Sequence, residues 1–543
     1  MKSYLRKKLL KSLAVLKVST EIDLTFEKPR VAEHGDLTSN VALILAKQFG
    51  KNPRQFAQDI VSHLGVDKTL VDAVEVAGPG FINFRFSEKF FVQQLPDILE
   101  KGSSYGKIDL GKGKKTNVEF VSANPTGPLT VGHGRNAVYG DTVANLLEWT
   151  NHNVTREYYF NNAGRQMRVL GDSVRLRYLE LLSNPVEFPD DYYQGAYIRD
   201  IAQRMVDEFG DKYRDEPAEG IFKQRAEQEI FEDVKKTLQS LGIKFDVFFN
   251  ENTLYESGKV EEVIDELRKK GLAYDADGAI WFKTSVLGSD KDKVIVKSTG
   301  EPTYRLPDIA YHREKFRRGF ELIIDVLGAD HIATYPDVVA GLRALSYDTS
   351  KMKVLIHQFV TIVQEGEVVK MSTRKANFIT LDELIGEAGE DVVRYFFLMR
   401  SIGSHLNFDL KLAKEQSDEN PVYYLQYAHA RIASIIRHAE LQGAVASAKP
   451  DPSRLTQPEE IALTKKLVEF PDIVESCAVT YEPHRLADYL HDTAGVFHKF
   501  YHQHRVVTED ADLTAARLML CSATKTILTN GFTILGISAP ERM

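Results

Sequence analysis

"FVSANPTGPLTVGHGRNAVYGD" runs from Phe120 to Asp141 and sets Pro125, Gly127, Pro128, Gly132, His133 and Gly134 between an apolar strand and a helix. Upstream, "KKTNVEFVSA" carries Val118, Phe120 and Val121 in a β-prone run; downstream, "NAVYGDTVANLLEWT" spaces Val138, Val143, Leu146 and Leu147 at helical intervals. The segment therefore reads as a strand-to-helix turn. Gly127, Gly132 and Gly134 lack a Cβ and allow close backbone approach, while the free N–H groups and dipole that open a helix favour a phosphate. The spacing is neither the Walker form nor the dinucleotide fingerprint. Thr130-Val131-Gly132-His133 is thus a nucleotide-site candidate of another kind.

The chain has 543 residues, ordinary apolar and charged fractions and a formal net charge of -8. That length allows several packed domains with full cores. The cysteines, Cys477 and Cys521, both lie in apolar helical patterns, so a disulfide framework and a Cys-based zinc knuckle are excluded and a reducing cytoplasm is expected. Apolar runs such as "VALILA" from Val41 fall short of a membrane span, and "MKSYLRKKLLKSLAVLKV" repeats Lys and Leu at the spacing of a surface helix. No membrane association is expected. The acidic balance argues against non-specific coating of nucleic acid but leaves room for a local basic groove along one folded RNA.

Residues 1–108 read as a small α/β domain, with two helices in "GDLTSNVALILAKQFGKNPRQFAQDIVSHL" and strands around Gly78-Pro79-Gly80. "KGSSYGKIDLGKGKK" reads as a linker. A Rossmann-like catalytic domain is expected over 109–375, its strands including "NVTREYYF", "ELIIDVLGAD" and "KVLIHQFVTIV", interrupted by an insertion at about 165–300 with long helices and a strand pair at "DGAIWFKTS" and "DKVIVKS". Residues 376–415 connect it to a helical bundle over 416–543, where Asn420 caps a helix beginning at Pro421. The expected fold class is a multidomain α/β protein.

Thr130-Val131-Gly132-His133 resembles the (His/Thr)-x-Gly-His element of class I aminoacyl-tRNA synthetases, and with its flanks it is similar to the first signature of the arginyl-tRNA synthetase family. Further along, "PTYRLPDIAYH" resembles the family's amino-acid-pocket segment and "VVKMSTRKANFITLDEL" its KMSKS loop; "NPVYYLQYAHARI" and "LGISAPERM" resemble its anticodon-binding domain. "PRVAEHGDLTSNVALILAKQF" and "GPGFINFRF" resemble its N-terminal domain, so the resemblance spans nearly the whole chain. It implies a class I synthetase that joins L-arginine to tRNA(Arg) through an adenylate. ATP would enter as substrate with Mg²⁺, no structural metal would be held by the protein, bound tRNA would be needed for activation, and a monomer is expected.

Activation requires an in-line attack on a phosphate, which is served by positioning and positive charge. By resemblance, His133 and the backbone from Gly132 to Gly134 hold the phosphates, Thr130 offers a hydroxyl, and Pro125, Gly127 and Met371, with Asp330 and His331, belong to the ATP site. Lys370, Met371 and Ser372 match the second motif, but Thr373 stands where its second lysine is usual, so Arg374 and Lys375 are the candidate replacement cations. These two Thr positions keep open a synthetase-derived RNA-binding protein without catalysis. A planar, permanently charged guanidinium calls for carboxylates and a carbonyl or aromatic edge. Glu119, Asn124, Tyr304 and Asp308 are the candidates; the alternative for Asp308 is a helix cap. Asp330 and His331 follow an apolar strand at the edge where α/β sheets bind ligands, and stand as candidates for the ribose or the amino acid. In the bundle, Tyr424, Tyr427 and Arg431 form one stripe that suits unstacked anticodon bases and phosphate.

Overall fold

The computed structural model describes residues 1–18, 24–29, 31–162, 164–369, 379–443 and 450–543. Helix α1 (Lys2–Val15) buries Leu5, Leu9 and Leu13, a stripe at every fourth residue, so the basic N-terminus is docked by its leucines. Strand β1 (Leu37–Ser39), helices α2 (Val41–Phe49) and α3 (Pro53–Ser62), and strands β2 (Val71–Ala77) and β3 (Phe81–Phe86) complete a small domain with its own core. Its antiparallel sheet has the order β1-β3-β2. Gly80 closes the hairpin at φ +143°, and a Cβ there would stand 2.8 Å from the Pro53 carbonyl oxygen, so only glycine fits beside α3.

Short helices α4 (Glu88–Val92) and α5 (Leu95–Lys101) lead into the segment expected to be a linker. It is clamped instead. Tyr105 is buried and stacks on Phe470, and Asn530 donates hydrogen bonds to the carbonyls of Gly102 and Tyr105, both at 3.0 Å. Its Gly, Ser and Lys content is that of a linker, but the Tyr105 ring and the Asn530 amide hold it against the bundle.

The central sheet is built from β4 (Lys115–Glu119), which is followed by α6 (Val131–Trp149), and β5 (Asn153–Phe160). Helices α7 (Gly164–Leu181), α8 (Ala196–Phe209) and α9 (Lys223–Ser240) come next, before β6 (Val247–Asn250). Strand β6 pairs in parallel with β5, so the span expected to be inserted returns to the sheet once and divides in two. The second part holds α10 (Asn252–Glu256), α11 (Lys259–Lys269) and the antiparallel strands β7 (Ala273–Ala276), β8 (Ala279–Phe282) and β9 (Lys293–Val296). Helix α12 (Arg305–Arg317), β10 (Leu322–Gly328), α13 (Tyr335–Ala344) and β11 (Met352–His357) finish the sheet. The order is β11-β10-β4-β5-β6, with every pairing parallel. The chain winds outward from β4 one way and then returns to its other side, which puts the topological switch point between β4 and β10.

The apolar run "KVLIHQFVTIV" is not one strand of this sheet. It breaks after β11, and β12 (Val360–Gln364) belongs to a second sheet with β13 (Glu367–Val368) and, later, β14 (Leu406–Asp409). Helices α14 (Leu381–Ala388) and α15 (Glu390–Leu398) precede β14, and α16 (Leu410–Lys414) follows it. The bundle comprises α17 (Pro421–Leu441), α18 (Pro458–Thr480), α19 (His484–Gln503) and α20 (Ala511–Leu535). Asn420 caps α17, accepting from Val422 N–H at 3.0 Å. Helix α20 is long and apolar enough to cross a membrane by length and composition, yet most of that apolar window is buried inside the protein.

One continuous apolar core joins the inner face of the sheet, the α7–α9 helices and the bundle. At its centre the buried Arg394 of α15 donates to Asp141 Oδ2 on α6 at 2.7 Å, to the Leu241 carbonyl after α9 at 2.7 Å and to the Leu535 carbonyl of α20 at 3.0 Å. A cation at the C-terminal end of α20 also suits that helix dipole. The bundle is therefore fastened to the helix whose first turn carries His133.

Candidate active site

After β4 the chain turns sharply. Val121 and Ser122 adopt φ values of +66° and +42°, a left-handed conformation that a β-branched residue takes only when its surroundings impose it. Three contacts impose it here: Val121 N–H donates to Asn136 Oδ1 at 2.6 Å, Ser122 Oγ donates to Glu119 Oε1 at 2.9 Å, and Tyr158 Oη donates to the Ala123 carbonyl at 2.7 Å. The turn fixes Glu119 at the strand end and carries the chain over the start of α6.

Thr130 is the N-cap of α6, and its N–H donates to His133 Nδ1 at 3.1 Å. Burial, with His357 nearby, lowers the His133 pKa to about 4, so the ring is neutral at physiological pH. With Nδ1 occupied as acceptor, the ring proton sits on Nε2, which makes that atom a donor beside the helix N-terminus. The glycines divide by role. Around Gly132 a Cβ would meet only Thr130 Oγ1 at 3.7 Å, which leaves room for a ligand.

Gly134 and Gly127 are glycines for a different reason from the one expected. A Cβ on Gly134 would lie 2.6 Å from Leu381 Cδ1 and 2.9 Å from Phe397 Cε2, and the Gly134 N–H is spent on the Thr130 carbonyl. A Cβ on Gly127 would lie 2.9 Å from the Tyr197 hydroxyl. Both permit packing of neighbouring elements. Gly134→Ala is accordingly expected to destabilise the fold by about 1–3 kcal/mol through overpacking, read as a lower denaturant midpoint.

Across the sheet, Asp325 of β10, Glu119 of β4 and Glu157 of β5 stand in register on adjacent parallel strands. All three are buried, and α12 lies against them with cations. Lys315, which has no exposed surface, bonds Glu119 Oε2 at 2.5 Å and Asp325 Oδ1 at 2.6 Å. His312 Nε2 is 3.1 Å from Asp325 Oδ2, Tyr311 Oη donates to Glu157 Oε1 at 2.6 Å, and Arg318 grips both oxygens of Glu157 at 2.6 and 2.7 Å. Burial by itself would raise the Asp325 carboxyl, but the charges of Lys315 and His312 hold it well below the usual range. Glu119, His312 and Asp325 could together surround a metal ion, but the cation among them is the Lys315 ammonium.

One turn before His312 on α12, Asp308 is different. Among the described residues its carboxyl accepts no side-chain hydrogen bond; burial foremost, with the charges of Glu119 and Glu251 adding and those of His312 and Lys315 opposing, pushes its pKa up to about 7. It is the fourth residue of α12, while Tyr304 occupies the cap position and stands 68% exposed, so the helix-cap alternative for Asp308 fails. Glu251 is buried and accepts from Tyr159 Oη at 2.8 Å and Tyr255 Oη at 3.2 Å. Asn124 donates to Gln166 Oε1 of α7 at 2.6 Å. The sequence reading missed Glu251, Ser122 and Lys315. For the acid row the available signal was Asp325, a lone acid inside the apolar run of β10.

Asp330 and His331 lie in the turn that follows β10, at the expected edge, 3.6 Å apart and largely exposed. His357, at the end of the neighbouring β11, is close enough to perturb His133 and was not anticipated. Lys370, Met371, Ser372, Thr373, Arg374 and Lys375 lie outside the described residues. Downstream of them, the Leu381 N–H donates to the Leu129 carbonyl at 2.8 Å and Thr380 pairs with Thr130, so the start of α14 is joined to the turn carrying His133.

In the bundle Tyr424 and Tyr427 both meet the His498 ring of α19. Tyr424 packs inward on His491 and His498, with ring centroids 5.0 and 4.8 Å away. Tyr423 also stacks on Tyr427, at 6.2 Å, and Arg431 donates to Tyr427 Oη at 2.8 Å beside Tyr501.

A doubly wound parallel sheet, a Gly-His helix start at its switch point and a helical bundle fastened behind it define a class I aminoacyl-tRNA synthetase. The family model described as tRNA synthetases class I (R), catalytic domain, matches residues 94–396; the Arginyl tRNA synthetase N terminal domain matches 3–86 and the DALR anticodon binding domain 425–543. The chain belongs to the arginyl-tRNA synthetase family. It is 52% identical over 521 residues to the arginine–tRNA ligase of Desulfotalea psychrophila, covering 96% of this chain and 94% of that one. With the arginine–tRNA ligase of Salinibacter ruber it shares 50% identity over 562 aligned positions and the full length of both. Its fold is similar to that of Thermus thermophilus arginyl-tRNA synthetase, with a TM-score of 0.77, 22% identity and full coverage of both chains.

Proposed function

We propose that this protein activates L-arginine with ATP and transfers it to the 3′ end of tRNA(Arg), with Asp308, Glu119, Asn124 and Tyr304 receiving the amino acid and the start of α6 receiving the nucleotide. The observation that carries this reading is Asp308: a carboxyl that accepts no side-chain hydrogen bond among the described residues, with Glu119 and Glu251 as well as His312 and Lys315 near it, has the free valence that a guanidinium requires. In the first step a carboxylate oxygen of arginine attacks the α-phosphorus, the bond to the bridging oxygen breaks and pyrophosphate leaves. His133 Nε2–H and the first N–H groups of α6 stabilise the phosphoryl oxygens, and Mg²⁺ arrives with ATP as part of the substrate. A terminal ribose hydroxyl of the tRNA then attacks the arginyl carbonyl and AMP departs. Arg374 and Lys375 are the candidates for the cation at the pyrophosphate, Asp330 and His331 for the ribose edge.

The enzyme works as a cytoplasmic monomer in this reading, requires bound tRNA for activation, and holds the tRNA elbow with residues 1–108 and the anticodon loop with residues 416–543. Aminoacylation assayed with each of the twenty amino acids tests the reading; charging by an amino acid other than arginine, or none at all, would refute it. Tyr427→Ala and Arg431→Ala are each expected to raise the KM for tRNA several-fold to about a hundredfold, the effect of losing one base-stacking contact at about 1–3 kcal/mol, while leaving the KM for arginine unchanged.

A further inference from the structure

We infer that Lys315 is a positioning residue for arginine recognition: a lysine ammonium built into the place that a metal ion would otherwise take, fixing Glu119 toward the amino acid and α12 toward Asp308. The inference rests on the assignment of Glu119 and Asp308 to the arginine pocket.

The oxygens and nitrogen of Glu119, Asp325 and His312 that face one another all lie within 4.8 Å, the closeness of a three-ligand cage. Three such groups crowded away from water need a counter-charge. Lys315 supplies it. The ammonium bonds Glu119 Oε2 and Asp325 Oδ1, rests 4.5 Å from the centre of the Tyr311 ring and has no exposed surface. Two of its donors meet the two carboxylates of that cage, and a fixed lysine cannot be lost to a chelator.

Two consequences follow from its bonds. Glu119 has Oε1 held by Ser122 Oγ at 2.9 Å and Oε2 held by Lys315, so its carboxylate plane is set before any ligand arrives. Asp308, His312 and Lys315 lie at i, i+4 and i+7 on α12, which places them on one face of that helix. Anchoring Lys315 and His312 to β4 and β10 therefore fixes the height and rotation at which Asp308 is presented. Such preorganisation lowers the cost of binding. A merely structural role would ask only that the acid charges be balanced, by any means.

The test separates these. Lys315→Met keeps the side-chain length and removes the cation; the double variant Lys315→Met with Asp325→Asn also removes the acid left uncompensated, and so guards against simple failure to fold. In tRNA-supported pyrophosphate exchange by the full-length protein, the KM for arginine is expected to rise tenfold or more in both, with the KM for ATP within about twofold of the parent. The double variant should recover the thermal stability lost in the single one without recovering the KM for arginine. If the double variant restores both, Lys315 only balances charge and the inference is overturned. An unchanged KM for arginine in Lys315→Met, or equal rises for arginine and ATP, overturns it also. Failure of the unmodified enzyme to exchange with arginine would instead refute the functional reading beneath it.

Discussion

His133→Ala is expected to lower tRNA-supported, arginine-dependent pyrophosphate exchange by about 10²–10³-fold, the usual loss when a preorganised donor is taken from a developing oxyanion. The reason lies in the ring's local chemistry. Thr130 N–H occupies Nδ1, burial keeps the imidazole neutral with a pKa of about 4, and the remaining proton on Nε2 is therefore presented at physiological pH without prior ionisation. Alanine removes the donor and also leaves the Thr130 N–H without its partner at the helix start. The Asn variant, which offers an acceptor back to that N–H in capping fashion, should recover stability but not rate. Binding of tRNA, measured by filter retention, should stay near the parental value. A parallel loss of tRNA affinity would place His133 on the RNA instead of the nucleotide.

Asp308→Asn is expected to raise the KM for arginine by about tenfold to a hundredfold, since a hydrogen bond to a charged partner contributes about 1.5–3 kcal/mol. The KM for ATP should barely change. The pH dependence gives an independent check. The Asp308 carboxyl is pushed up to about 7 in the free protein, chiefly by burial and further by Glu119 and Glu251, against the opposing charges of His312 and Lys315. A bound guanidinium favours the ionised form, so arginine binding releases a proton from this group at and below pH 7. For the parent enzyme the KM for arginine should therefore rise as pH falls from 8 to 6; for Asp308→Asn the profile should flatten. Linkage to folding has the opposite trend: a carboxyl with a raised pKa stabilises the free fold at low pH, and that contribution is lost as pH rises through 7. The Asn variant should consequently be more stable than its parent at pH 8 in the absence of arginine. A flat profile in the parent, or an unchanged KM for arginine in the variant, would remove Asp308 from the pocket.

The bundle bears on how these experiments are designed. Because the sheet and the bundle share one apolar core, and Arg394 and Asn145 tie α20 to α15 and α6, removing the bundle exposes the catalytic core as well as the RNA surface. Point changes at Tyr427 and Arg431 are the cleaner probe.

Much was legible from residue order alone. The strand-to-helix turn at Phe120–Asp141, the hairpin at Gly78–Gly80, the cap at Asn420 and the family signatures all depend on contiguous residues, whose local geometry chemistry fixes within a few positions. What tertiary structure alone decided was how distant segments meet. A glycine shows that a side chain is forbidden without showing what forbids it: Gly132 faces open space, while Gly134 faces Leu381 and Phe397. Aromatics on a helix declare their spacing and not their partner, so Tyr424 turned in against α19 and Tyr423 turned up beside Tyr427. Likewise, Glu119, Glu157 and Asp325 are far apart along the chain and become one row only when β10, β4 and β5 pair in parallel register. Sequence determined which local elements form and which chemistry they carry, because those follow from neighbours a few bonds away. The three-dimensional packing determined which acids Lys315 and Arg318 neutralise, and that Asp308 accepts no side-chain hydrogen bond among the described residues, because burial and charge pairing are properties of the assembled interior.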